Sequence, residues 1–383
     1  MLDKEFQFIF KGNIFFGRNS RLRLNELFQN ENWGSTCIII DQGIINLPII
    51  DQMLQSLIGI QKIIIECDVS EPSYEKLEEN RFFFKNQTID VFIGIGGGSA
   101  LDMAKGLAVL YANDGPAISY RGFEMFKEPI PSIIGIPTTA GTGSEITPNA
   151  SFIDTYEKRK MGINGEGIRP KYSILDPELT LTCPKEPTIS AGVDSIVHAT
   201  EAFVAKKSNP MAKLFAKEGF NLVFKNLPLL IDDLESIKLR EKVMYGAFLS
   251  AVALMNSGTG PAAAMSYPLG VHFGVPHGLG GSIFLPFIME HNIKAGCFDY
   301  SDLVLNPNSG LSKQEISIEF MKKIWSTWEQ LKIPNNLRVF GMNENKIDKF
   351  ISDTIELKGA LDQNPIPFYE DEIKNTLNYL LNP

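Results

Sequence analysis

The stretch VFIGIGGGSALDMAK, residues 91–105, joins a β-branched run, a glycine turn and a helical pattern. A short apolar run closed by glycines reads as a strand buried on both faces of a parallel sheet. After it, Gly96-Gly97-Gly98 lets backbone N–H groups approach an anion, and a helix start adds free donors and positive partial charge. Ser99 can cap that helix. The pattern therefore reads as a pyrophosphate cradle or as a plain tight strand-to-helix turn. Its spacing departs from GxGxxG, so the common dinucleotide fingerprint is not what the residues spell.

Working outward, TCIIID (36–41), KIIIEC (62–67) and IIGIPT (133–138) are further continuous apolar runs. Helical stretches such as YEKLEENRFFF lie between them. This βαβ alternation predicts an α/β N-terminal domain, a parallel sheet with helices on both faces. FQFIF and NIFFG look like an opening hairpin across Lys11-Gly12. After Pro184 the pattern changes to helices, among them TISAGVDSIVHATEAFVA and SIEFMKKIWSTWEQL, and no long β-branched run returns. We therefore expect an α/β domain over 1–184 and an all-helical C-terminal domain over 185–383.

The composition suits a globular chain: 383 residues, 44% hydrophobic and 21% charged. A formal charge of −9 argues against nucleic-acid and anionic-membrane partners, which reward clustered Lys and Arg. No apolar run reaches the roughly 18 residues of a spanning helix. The opening MLDKEFQFIFKG is too acidic for a signal peptide. Cys37, Cys67, Cys183 and Cys297 make no CxxC motif. A reduced, cytoplasmic setting is the expectation.

Three constellations carry chemistry. Asp41 ends the strand CIIID. An acid there can accept from the adenosine ribose hydroxyls and would repel a 2′-phosphate, or it is a turn residue beside Gln42-Gly43. IPTTAGTGSE (136–145) is a second small, hydroxyl-rich loop after a strand, offering Thr138, Thr139, Thr142 and Ser144 as donors. Asp194 and His198 are four apart on a helical pattern and share one face. With more histidines, His272 and His277, about 75 residues further along, they suit a borderline divalent metal such as zinc or iron, or else form a simple Asp–His hydrogen bond. Glu201 is either an outer partner of that set or a solvated charge.

Taken together, GIGGGSALDMAK, IPTTAGTGSE, KRKMGI, DPELT, AGVDSIVHATEAF and PHG occur in the order of the iron-dependent (group III) alcohol dehydrogenases. FFGRN, LKIPNNL and LKGALDQNP resemble that family's flanking segments, so the likeness covers essentially the whole chain. The resemblance implies an NAD(P)-dependent alcohol or aldehyde oxidoreductase with one divalent metal, iron or zinc, acting on a small alcohol or aldehyde as a homodimer. It implies cofactor contacts at Gly97, Gly98, Ser99, Asp102, Thr138, Thr139, Thr142 and Lys160, with Asp41 favouring NAD. It implies metal ligands at Asp194, His198 and His277.

The chain also departs from the pattern. Many members carry two further histidines before PHG, one a metal ligand and one near the nicotinamide. Ala263 and Tyr267 stand there instead. Tyr267 resembles hydroxyacid–oxoacid transhydrogenases and some sugar-oxidising branches. It can relay the hydroxyl proton or simply pack on the nicotinamide. His272 is a candidate replacement for the fourth ligand, in a segment read as a loop, or a surface or capping residue. The expected reaction is hydride transfer between nicotinamide and an alcohol, aldehyde, sugar or hydroxyacid. The alternatives are a transhydrogenase-like enzyme and a dinucleotide-binding protein without redox turnover.

Overall fold

A computed structural model describes residues 5–68, 71–84, 86–305, 307 and 309–383, which form two compact units. One unit comprises Phe10–Thr139 and Gly143–Cys183. The other comprises the described residues up to Ile9, Ala140–Thr142 and Pro184–Pro383.

The first unit is built on a six-stranded sheet in the order β1-β9-β6-β4-β2-β3, every neighbouring pair parallel. Its strands are β1 (Asn13–Phe16), β2 (Ser35–Asp41), β3 (Gln61–Cys67), β4 (Val91–Gly96), β6 (Ser132–Pro137) and β9 (Tyr172–Leu175). The central strands β2, β4 and β6 are buried almost throughout, as their unbroken apolar runs predict. Successive side chains alternate between faces. Ile38, Ile40, Ile93, Ile95 and Ile134 pack with Leu24, Phe28, Ile50 and Met53, which lie on α1 (Arg23–Glu31) and α2 (Pro48–Gln55). Cys37, Ile39 and Phe92 pack on the other face with α3 (Tyr74–Arg81) and α4 (Gly98–Ala112). In the register, Gly94 pairs with Gly135. A Cβ on Gly94 would lie 2.9 Å from the Cα of Leu101, so α4 can reach the sheet only over a bare backbone.

Two sequence expectations change here. KIIIEC, read as buried on both faces, is the edge strand β3, and its Ile64 is exposed. FQFIF forms no hairpin: β1 pairs in parallel with β9, and residues 5–12 carry no strand. Ile9 instead trades both backbone hydrogen bonds with the Asn256 side chain, and Phe8 stacks on Phe215. The unit also holds a small second sheet of β5 (Gly122–Phe123), β7 (Asn149–Asp154) and β8 (Arg159–Asn164).

The second unit is helical among its described residues: α5 (Lys185–Val204), α6 (Pro210–Asp232), α7 (Ile237–Met255), α8 (Pro261–Phe273), α9 (His277–Lys294), α10 (Lys313–Gln330), α11 (Ile347–Ile355), α12 (Lys358–Leu361) and α13 (Glu370–Leu381), with short 3-10 turns between. α5 is its central element; Val193, Ile196, Val197, Ala199 and Ala202 are almost wholly enclosed. A parallel α/β sheet followed by an all-helical region is the fold class that the sequence predicts.

Candidate functional site

Two clusters of functional side chains emerge, one in each unit. In the α/β unit, the carboxyl ends of β2, β4 and β6 bring Asp41, the glycine turn and the threonine loop together. Ile40 and Ile95 are register partners, so Asp41 and Gly96 end adjacent strands. A Cβ on Gly96, whose φ is +152°, would lie 2.9 Å from Cβ of Asp41. The glycine is therefore required for conformation and for space. Thr138 N donates to Gly96 O at 2.9 Å, and the Thr139 side chain lies 3.6 Å from where a Cβ on Gly97 would stand. Gly97 is the N-cap of α4 and no side chain caps that end, so Ser99 does not play the capping role anticipated for it. The first turn of α4 thus presents backbone donors beside an acid and two threonines.

Asp102 sits one turn into α4 and spends both oxygens within the chain. Oδ1 accepts from Ser144 Oγ at 2.5 Å and Oδ2 from Ser151 N at 2.8 Å. Ser144 in turn accepts from Lys105 Nζ at 2.8 Å, and Lys105 also donates to Thr147 O and Asn149 O. Lys105 is fully enclosed, and burial pulls its ammonium down to about 8. Burial pushes the neighbouring Glu145 carboxyl up to about 7. This network ties the 143–150 loop to α4. Lys160 pairs with Glu71 at 2.8 Å and lies within electrostatic reach of Asp102. Thr142 groups with the helical unit, as does its neighbour Gly141, where a Cβ would strike the Ala191 backbone at 2.2 Å.

In the helical unit, one potential ligand atom each from Asp194, His198 and His277 lies within 4.8 Å of the others. Asp194 and His198 face one way on α5 and are buried, with Asp194 Oδ1 3.4 Å from His198 Nε2. His277 opens α9. α8 ends at Gly274, whose φ of 67° turns the chain sharply, and Pro276 then caps α9. Gly278 sets the closeness: a Cβ there would lie 2.2 Å from Ser190 O and 2.5 Å from Asp194 Cβ. Pro-His-Gly is thus a packing motif as well as a chemical one. One carboxylate and two imidazoles suit a borderline divalent ion. His198 turns Nε2 toward Asp194, and its Nδ1 is buried with no hydrogen-bond partner among the described residues, so the fit rests on the donor set itself. The residues fit a metal.

Tyr267 meets His277 edge-on, ring centroids 5.1 Å apart. Ala263 is buried and offers no donor atom. His272 stands apart from the cluster. Its segment is helical, the last turn of α8, and its Nε2 lies 2.7 Å from Asp353 Oδ2. Glu201, left open between an outer partner of the cluster and a solvated charge, is buried and so not a solvated charge. Its buried carboxylate accepts from Gly260 N at 2.8 Å and Ala262 N at 2.7 Å, capping α8. Burial pushes it up to about 7.

Comparison with known proteins follows the same division. Residues 12–177 match the model of iron-containing alcohol dehydrogenases, and residues 188–381 match the C-terminal model of the Fe-containing alcohol dehydrogenase family. The chain belongs to the iron-containing alcohol dehydrogenase family. A long-chain-alcohol dehydrogenase of Geobacillus thermodenitrificans is 30% identical over 347 residues, covering 88% of this chain and 87% of that one. An NAD-dependent methanol dehydrogenase of Bacillus methanolicus is 32% identical over 301 residues, covering 78% and 79%. A crystal structure of a 1,3-propanediol oxidoreductase superposes with a TM-score of 0.92 at 27% identity, covering 98% of this chain and 99% of that one. As a family member the chain is an oxidoreductase. No helix among its described residues is long and apolar enough to cross a membrane.

Sequence reasoning missed three parts of these two clusters. Lys105, the last residue of the opening stretch, gave no sign of burial beyond its place on an apolar helix. The capping role of Glu201 depends on a partner 59 residues away. Ser266, whose Oγ lies 2.6 Å from His277 Nδ1, sits in an alanine-rich run that carries no signal of its own.

Proposed function

We propose that the chain is an NAD-dependent alcohol dehydrogenase, running in reverse as an aldehyde reductase, with a divalent metal at Asp194, His198 and His277. The observation that carries this reading is the convergence of those three donors, one carboxylate and two imidazoles, within 4.8 Å of one another. When bound, the metal supplies Lewis acidity to the substrate oxygen, and the nicotinamide exchanges a hydride with the carbon bearing it.

The chain's own groups do the rest. The first turn of α4, from Gly97, Gly98 and Ser99, receives the pyrophosphate. Thr138, Thr139 and Thr142 donate to the dinucleotide, and Lys160 approaches it. Asp41 accepts from ribose hydroxyls and disfavours a 2′-phosphate. Asp102 acts one step back, by holding Ser144 and Ser151. Tyr267, edge-on to the His277 ring and only partly buried, relays the substrate hydroxyl proton as the carbonyl forms: its own phenolic proton leaves to solvent as it takes the substrate's. Iron and zinc both suit the ligand set. The α/β domain over 1–184, apart from the described residues up to Ile9 and Ala140–Thr142 that group with the helical unit, and the helical domain over 185–383 divide these tasks. The substrate class is a small alcohol or aldehyde, and the protein is a cytoplasmic homodimer.

Metal analysis of the purified protein, with NAD reduction measured on a panel of alcohols, diols, sugars and hydroxyacids, tests the reading. A divalent ion at about one per chain and NADH formation with at least one alcohol are expected. NAD binding without metal and without turnover would favour the non-redox alternative.

A further inference from the structure

Ser266 lies on α8 and His277 opens α9, and the two meet at 2.6 Å, Oγ to Nδ1. The Ser266 hydroxyl has a second neighbour, the Ala263 carbonyl, also at 2.6 Å. A carbonyl can only accept, and a hydroxyl has one proton. That proton goes to Ala263 O, so toward the imidazole Oγ can act only as acceptor. His277 must then carry its proton on Nδ1, which leaves the ring's lone pair on Nε2. Ser266 is 1% exposed and Ala263 4% exposed, so water does not compete for either contact.

The surrounding packing makes this arrangement rigid. A Cβ on Gly280 would come within 3.1 Å of Ser266 Cβ, so α9 lies directly on the serine. Upstream, Glu201 grips the Gly260 and Ala262 amides and fixes the first turn of α8, from which Ala263 O points to Ser266. A chain of contacts thus runs from a buried carboxylate through α8 to one ring nitrogen.

We propose that Ser266 is a positioning residue that holds His277 in the Nδ1–H tautomer and so commits Nε2 to the metal. This rests on the metal reading above. Outer partners of this kind typically alter metal affinity by about 10- to 100-fold.

The test uses the full chain stripped by chelation, with zinc as the probe. Zinc affinity by chelator competition should fall about 10- to 100-fold in Ser266→Ala. Ser266→Thr, which keeps the hydroxyl, should recover most of it. Melting temperature and NAD binding serve as controls for a general structural effect. Independently, nitrogen-15 NMR of histidine-labelled, metal-free protein reads the tautomer; with four histidines in the chain, His277→Gln assigns the signal. Wild type should show Nδ1–H at His277, and Ser266→Ala should show the Nε2–H form or a mixture. An Nε2–H ring in wild type, or a Ser266→Ala variant with unchanged tautomer and zinc affinity, overturns the proposal. If wild type shows Nδ1–H yet binds no zinc, the metal reading fails while the assignment of the ring to Ser266 is supported.

Discussion

His272 and Asp353 are paired, Nε2 to Oδ2 at 2.7 Å, and the other oxygen of Asp353 accepts from Lys349 Nζ at 2.7 Å. The pair joins the last turn of α8 to α11. A histidine engaged in this way ties two helices together and stands outside the Asp194, His198 and His277 cluster.

His272→Ala should therefore leave metal content at the wild-type level. It should cost about 1–2 kcal/mol of stability, the contribution of one charge-assisted hydrogen bond whose buried acceptor keeps Lys349 as its other partner. Metal analysis and urea unfolding of the variant check both parts. Loss of the metal would make His272 a ligand after all.

Asp41 accepts from Gly43 N through Oδ1 at 2.8 Å, which holds its carboxylate beside the glycine turn. Asp41→Gly should narrow the preference for NAD over NADP by about tenfold or more, equivalent to roughly 1.4 kcal/mol. The ratio of kcat/KM for the two cofactors reads this. An unchanged ratio would return Asp41 to a turn-forming role.

Glu145 and Lys105 predict a characteristic dependence of stability on pH. Burial raises Glu145 from 4.5 to about 7, so between these values the folded state keeps a proton that the unfolded chain has released. Stability from this group therefore falls as pH rises through that window, by up to about 3 kcal/mol. Lys105, lowered from 10.5 to about 8, has the opposite sign: the unfolded chain holds the extra proton, and stability rises from pH 8 to 10.5. Glu145→Gln should flatten the lower limb. Unfolding free energies at pH 5 and 7.5 that change equally in wild type and variant would contradict this.

Much of this was legible in the sequence because it depends on local pattern. The runs in β2, β4 and β6 announced a buried parallel sheet, and the i,i+4 spacing of Asp194 and His198 placed both on one helical face. The unread parts depend on distant partners. NASFID and RKMGIN, the paired β7 and β8, mix polar and apolar residues and gave no clear strand signal. FQFIF has a strand's composition, but the backbone of its Ile9 pairs with the Asn256 side chain and not with another strand. GVHFGVPHG, expected to be a loop, is helical as far as Phe273, where α8 ends. Ser266 and Glu201 acquired their roles only when α5, α8 and α9 came together.

Capping by Glu201 should be tested apart from the ligands. Glu201→Ala leaves the Gly260 and Ala262 amides buried without an acceptor, which costs about 2–4 kcal/mol. Because α8 carries Ser266, metal affinity should fall along with melting temperature. Glu201→Gln, keeping one acceptor, should lose less of each. A Glu201→Ala protein as stable as wild type would show that α8 does not depend on this cap.

The most direct test of the central claim is the metal content of His198→Ala, measured beside wild type together with alcohol-dependent NADH formation. We predict about one divalent ion per chain and steady turnover in wild type, and loss of most metal and most activity in the variant, with NAD still bound. A His198→Ala protein that retains stoichiometric metal, or that turns over at the wild-type rate, would contradict the assignment of Asp194, His198 and His277 as the metal centre.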